Sequence, residues 1–229
     1  MSFSSFSEPI FNKVTPHWAA LSQRWGLKPV ALKEGAILLV GWTVLTWLAF
    51  VCSLLFIEVG ERSDLSLLEG LLGGGLIGLA QWQMLRFSCG ESSATPWKSS
   101  HRWLVASVLG WGTLTLFHVG ALGWMAPGSA HNLFFRSLLG LVYGGYVGAG
   151  LGIAQWLAIR KQVAGAWRWV PLSSGTWAVA IALGWLVGGC LRAVSHLFIS
   201  EVVGLLVAWG AIAILSGLGI VGLMYQEKS

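Results

Sequence analysis

GLLGGGLIGLAQWQMLR, residues 70–86, and GGYVGAGLGIAQWLAIR, residues 144–160, decide the fold between them. Gly70, Gly74, Gly78, Ala80, Gln81, Trp82 and Arg86 return 74 residues later (156 − 82) as Gly144, Gly148, Gly152, Ala154, Gln155, Trp156 and Arg160. Downstream, Ser99-Ser100, Trp103, Ala106, Leu109 and Gly110-Trp111 return at the same spacing as Ser173-Ser174, Trp177, Ala180, Leu183 and Gly184-Trp185. A register held over residues 65–112 and 139–186 points to internal duplication. The duplicated unit is a pair of long apolar segments, so the expected fold is an all-α membrane protein built from helical hairpins.

Composition supports that class. Hydrophobic residues make up 55% of the 229 and charged residues 10%, with a mean hydropathy of +0.72. A water-soluble domain carries roughly 25% charged residues, so lipid is the solvent this surface suits. The 31 glycines suit close helix approach in a bilayer. The 15 tryptophans suggest a belt at the membrane–water boundary. Cys52, Cys89 and Cys190 have neither CxxC nor Cys/His spacing, which argues against a zinc site and against a disulfide framework. The basic residues flank apolar segments and form no single patch, so the pI near 9.4 reflects membrane orientation and not nucleic-acid binding.

Residues 1–33 read as a cytoplasmic tail without a cleavable signal peptide. Thr15-Pro16 and Gly26 bracket Trp18, Leu21 and Trp25, an expected interfacial amphipathic helix over 16–26. Residues 34–229 read as a single six-helix transmembrane domain. Spanning needs about 20 apolar residues, and six windows qualify: about 35–58, 66–87, 103–125, 136–159, 177–200 and 202–225. Paired, they give hairpins over about 35–87, 103–159 and 177–225. Arg160 to Gly175 reads as a loop, and a tight turn is expected at Ser200-Glu201.

Orientation follows from Lys and Arg. Lys13, Arg24, Lys28, Lys33, Arg86, Lys98, Arg102, Arg160, Lys161, Arg168 and Lys228 fall on one side, with Arg62 and Arg136 opposite and Arg192 inside the fifth segment. Both termini are therefore expected in the cytoplasm, with Glu58, Glu61, Asp64, Glu69 and Glu201 on the far side. Gly41-Trp42 echoes Gly110-Trp111 and Gly184-Trp185, so three parallel hairpins about a pseudo-threefold axis along the membrane normal are anticipated.

The element G-x-x-x-G-x-x-Q-W-x-x-x-R, at Gly74 to Arg86 and Gly148 to Arg160 and followed by a Trp-led helix containing L-G-W, resembles a group of polytopic repeat proteins of cyanobacteria and some other bacteria. The resemblance covers most of residues 65–186. It implies a bacterial inner membrane or a thylakoid, and it implies no reaction and no functional residue.

Several residues stand out as candidates. Gly70, Gly74 and Gly78, and again Gly144, Gly148 and Gly152, form small-xxx-small stripes for helix packing. Packing inside the monomer is the first reading, a dimer interface or a groove for a flat ligand the second. Gln81 and Gln155 lie roughly 8 Å inside the cytoplasmic boundary and need partners in lipid; an indole N–H or a backbone carbonyl of the adjoining helix is the nearest. They read as interhelical glue or as a polar constriction on a solute path. His118 and Arg192, again 74 apart, are expected well inside odd-numbered helices, with His196 on the face of Arg192 and Glu69 as counter-charge. Arg192 could equally snorkel to the boundary.

Catalysis is not expected. No HExxH, rhomboid-type G-x-S-G or paired intramembrane acid occurs. His118 or His196 could serve as an axial ligand to a pigment, so chlorophyll or a carotenoid is the cofactor class to consider. Two functions follow. One is a non-enzymatic membrane subunit or scaffold that binds lipid, pigment, other membrane proteins of a larger complex, or further copies of itself. The alternative is a small-solute transporter or channel with a polar site between repeats. The scarcity of polar residues along the spans favours the first.

Overall fold

A computed structural model describes residues 29–57, 65–88, 101–118, 132–163 and 165–226. The chain divides into two compact units, Met1–Ile37 and Leu38–Ser229. Of the first unit only the opening turns of one helix are described, and the expected helix at 16–26 lies outside the described residues. The described residues contain no strand. Their helices are α1 (Pro29–Ser53), α2 (Leu67–Ser88), α3 (His101–Leu116), α4 (Leu133–Ile159), α5 (Trp169–Ser195) and α6 (Ile199–Gln226), with a 3-10 turn at Ala166–Arg168 leading into α5.

Four helical stretches are long and apolar enough to cross a membrane: Glu34–Ser53, Leu133–Ile159, Ala166–Ser195 and Ile199–Leu223. The chain is thus a helical protein with membrane-spanning segments. Of the other two expected spans, α2 has the length but carries Glu69, Gln81, Gln83 and Arg86. The third was expected over 103–125, whereas α3 stops at Leu116. Its 16 residues rise about 24 Å, short of a hydrocarbon core about 30 Å thick.

Local chemistry explains most boundaries. Ser66 and Glu69 form a reciprocal capping box at the start of α2: the Ser66 amide donates to Glu69 Oε2 (2.6 Å) and the Glu69 amide to Ser66 Oγ (3.3 Å). Asn132 caps α4 by accepting from the amides of Phe134 (2.9 Å) and Phe135 (3.4 Å). The loop expected over Arg160 to Gly175 is much shorter than its sequence suggests. Gly165 turns at φ 68°, and α5 begins at Trp169, eight residues before the expected start (177 − 169). Pro171 sits in its first turn, where a missing N–H costs nothing. The turn expected at Ser200-Glu201 falls instead at His196–Phe198, with Ser200 and Glu201 in the first turn of α6.

Successive helices α2 through α6 pack as sequential neighbours. Within the second unit α1 lies against the last helix and against α2: Gly217 of α6 faces Leu39 and Trp42, and Gly41 faces Met84. The polarity is inverted relative to a protein in water. Along α1, Val40, Val44 and Leu48 are exposed, while Trp42, Thr46 and Phe50 are fully buried. A helix that is apolar outside and mixed inside is suited to lipid.

The glycine stripes are used inside the monomer. A Cβ on Gly74 would meet Trp111 Cβ at 2.7 Å, and one on Gly78 would meet Ser107 Cβ at 2.7 Å. Gly70 faces Thr115. In α4, a Cβ on Gly148 would meet the Ser173 carbonyl oxygen at 2.6 Å, with Gly144 against Trp177 and Gly152 against Ser173 and Val170. Here α4 and α5 touch backbone to backbone, and Ser173 and Ser174 donate to the carbonyls of Gly148 (2.8 Å) and Gly145 (2.9 Å). Tryptophan is likewise a core residue. Trp42, Trp103, Trp111, Trp169, Trp177, Trp185 and Trp209 are all buried, which overturns the expected boundary belt for these seven. Exposed Trp167 keeps that role open for itself.

Candidate functional site

One group of interior polar residues forms a layer bounded by two layers of aromatic rings. On the side of the α2 and α4 C-termini, Trp103 stands between Trp42 (centroids 5.9 Å apart) and Trp169 (5.4 Å). On the other side Trp209 of α6 is the hub. It stacks on Phe50 (4.5 Å) and Trp111 (6.0 Å) and meets Trp177 edge-on (5.2 Å). Rings at these separations contribute about 0.5–1.5 kcal/mol per pair beyond their burial.

Between the layers, each of the first three indoles donates to a polar side chain. Trp103 Nε1–H donates to Gln81 Oε1 (3.0 Å), Trp169 Nε1–H to Gln155 Oε1 (2.8 Å), and Trp42 Nε1–H to Ser216 Oγ (2.9 Å). Gln155 also donates through Nε2 to Ser107 Oγ of α3 (3.3 Å). All of these polar groups are buried. They line a cavity of about 30 Å3, together with Ser173, Thr176 and Trp209. No ionisable group lines it.

An indole N–H or a backbone carbonyl of the adjoining helix was expected as the partner of each glutamine, and in both cases it is an indole. The donors are Trp103 and Trp169, which stand 66 apart and not 74 (169 − 103). The signal that would have found them is R-W-x-x-x-S-x-x-x-W, present at Arg102–Trp111 and again at Arg168–Trp177. It places Trp, Ser and Trp at four-residue steps on one helical face. The same helices carry the 74-residue spacing, so the contacts follow one of two overlapping registers. The rest of the Q-W-x-x-x-R motif serves the boundary: Arg86 lies over the Trp82 ring and Arg160 over Trp156, both at 5.7 Å. These are i, i+4 cation–π pairs on half-exposed ground.

The second polar cluster joins α4, α5 and α6. Arg136, expected only as a flanking charge, is buried: its Nε donates to the Trp185 carbonyl (2.6 Å) and its Nη2 pairs with Glu201 Oε2. Glu201 also receives Arg192 Nη1 at 3.3 Å, though the Arg192 side chain is 52% exposed. The counter-charge of Arg192 is thus Glu201, and Glu69, expected in that role, caps α2 instead. His118 and His196 were expected inside helices. Both occupy left-handed turns just past helix ends, at φ 56° and 58°, and both are exposed. His196 closes α5 through its amide to the Arg192 carbonyl (2.9 Å). No group of three metal-ligating side chains occurs among the described residues.

No protein-family model, curated protein or solved structure matches the chain. The reading of its function rests on the geometry above.

Proposed function

We propose that this chain is a non-enzymatic integral membrane subunit or scaffold, a bundle of six helices arranged as three hairpins with both termini in the cytoplasm of a bacterial cell. The observation that carries this reading is the pairing of each interior glutamine with an indole of the adjoining helix. Gln81 and Gln155 each accept from an indole, aromatic layers flank the polar layer, and the outward faces are apolar. Such a body offers surfaces to lipid and to other helices, and no aqueous route through its middle. The three indole–acceptor pairs, α3 to α2, α5 to α4 and α1 to α6, support the pseudo-threefold plan. In that plan α1 partners the last helix as α3 partners α2. Exposed Arg86, Arg160, Lys161 and Arg168 cluster at one end of the spans, which supports a cytoplasmic placement of that end.

Purification in mild detergent is the test. Co-purifying membrane proteins, a defined homo-oligomer or a visible absorption band from chlorophyll or carotenoid is expected. A clean, colourless monomer would sink the reading. A second reading, a small-solute transporter, is favoured by one feature alone, the polar cavity enclosed between aromatic layers. Flux across proteoliposomes that disappears in Gln155→Leu would establish it, and equal flux with and without protein across a solute panel would end it.

A further inference from the structure

The central cavity carries a site that the scaffold reading does not use. Its floor and walls come from α2, α3, α4, α5 and α6, and the polar groups facing it are Gln81, Ser107, Gln155, Ser173, Thr176 and Ser216. Most are committed. Ser107 accepts from Gln155, Ser173 donates to the Gly148 carbonyl, and Ser216 accepts from Trp42 and donates weakly to the Ala213 carbonyl (3.4 Å). Two groups are not. The Gln81 side chain accepts from Trp103 through Oε1, yet its amide N–H2 has no partner among the described residues, and neither has the Thr176 hydroxyl. Both side chains are more than nine-tenths buried. Among the described residues, the buried atoms with no partner and no access to solvent lie elsewhere, at Thr46 Oγ1 and Trp185 Nε1, whereas Gln81 and Thr176 line the cavity.

We propose that the cavity is a binding site for one ordered water, held as acceptor by the Gln81 amide, as partner by the Thr176 hydroxyl, and as donor to the second lone pair of Ser216 Oγ. Size and chemistry agree. About 30 Å3 accommodates one water, for which about 10–15 Å3 suffices, and a buried water typically makes about three hydrogen bonds. With no ionisable lining an ion would forfeit its hydration for neutral dipoles alone, so the site selects a neutral molecule. The position gives this water a structural task. Direct side-chain hydrogen bonds in the polar layer link α2 to α3, α3 to α4 and α4 to α5 through Gln81, Ser107 and Gln155, and separately α6 to α1 through Ser216. A molecule touching Gln81, Thr176 and Ser216 joins those two sets across the middle of the bundle.

Crystals of the whole protein grown in lipid, diffracting well enough to show ordered solvent, test this directly. One solvent peak is expected at hydrogen-bond distance from Gln81 Nε2 and Thr176 Oγ1, with no xenon uptake there under pressure and no anomalous signal after a rubidium or bromide soak. A cavity with no peak, one filled by xenon as a dry apolar void would be, or one holding either ion overturns the proposal. Thr176→Val keeps the shape and removes the hydroxyl. The solvent peak should vanish and the unfolding midpoint fall by about 2–4 °C. A peak that persists, or an unmoved midpoint, counts equally against it.

Discussion

At the scale of single residues, burial and partner number set the hierarchy of the polar side chains. Gln155 serves two partners, Trp169 and Ser107, while Gln81 serves Trp103 alone among side chains. An interhelical hydrogen bond in a membrane averages about 0.6 kcal/mol and rarely exceeds about 2. Gln155→Leu should therefore destabilise the fold more than Gln81→Leu in matched thermal unfolding in detergent, and the reverse order would contradict the assigned bonds. The arginines divide more sharply. Arg136 is buried against Glu201, whereas Arg192 reaches the same carboxylate from a half-exposed position. Glu201→Gln strands the Arg136 guanidinium and should cost about 3–5 kcal/mol. Arg192→Gln should cost no more than about 1 kcal/mol. Equal losses in the two variants would mean that Arg136 is not the residue whose charge Glu201 neutralises.

At the scale of helices, the contact between α5 and α6 is set by two glycines. A Cβ on Gly184 would stand 2.5 Å from the Gly204 carbonyl oxygen, and one on Gly204 would stand 2.8 Å from Gly188 Cα. Backbones this close cannot yield as a flexible side chain does, so Gly204→Val should force the helices apart and cost at least the 1–3 kcal/mol typical of overpacking. Gly175 and Gly222 face nothing within 4 Å. Gly175→Ala should fold as well as the parent or gain up to about 1 kcal/mol, read by the same unfolding assay. The helices were legible in the sequence where hydropathy and caps agree: the expected windows 66–87, 136–159 and 202–225 lie within three residues of α2, α4 and α6 at each end. The start of α5 was obscured because Arg168 and Pro171 look like loop residues, although Arg168 ends the 3-10 turn that leads into α5 and Pro171 sits in its first turn. Glu69 was misread because a carboxylate near an apolar run suggests a counter-charge, while Ser66-x-x-Glu69 is a local capping signal.

At the scale of the whole molecule, the aromatic and glycine content was visible in the sequence but its direction was not. Composition cannot separate a tryptophan that faces headgroups from one that stacks on Trp209, since both favour one wet or hydrogen-bonded edge and one apolar face. The glutamine pair was legible as polar and as in need of a partner on the adjoining helix; which indole serves Gln155 depended on a helix register that Pro171 and Gly165 fix. The proposed topology makes a prediction of its own. Reporters fused at Met1 and at Ser229 should both be active on the cytoplasmic face, and a split result would remove the three-hairpin plan.

The bond from Trp42 to Ser216 joins residues 174 positions apart. During synthesis at about 5–20 residues per second, the first helix therefore waits roughly 9–35 s for the side chain that satisfies its indole. Until then that helix sits in the bilayer with an unmatched donor and a bare flank, available to insertion factors or to a neighbouring nascent chain. Truncation just before the final helix should accordingly yield a product that quality-control proteases remove, since it lacks Ser216, the acceptor of that indole.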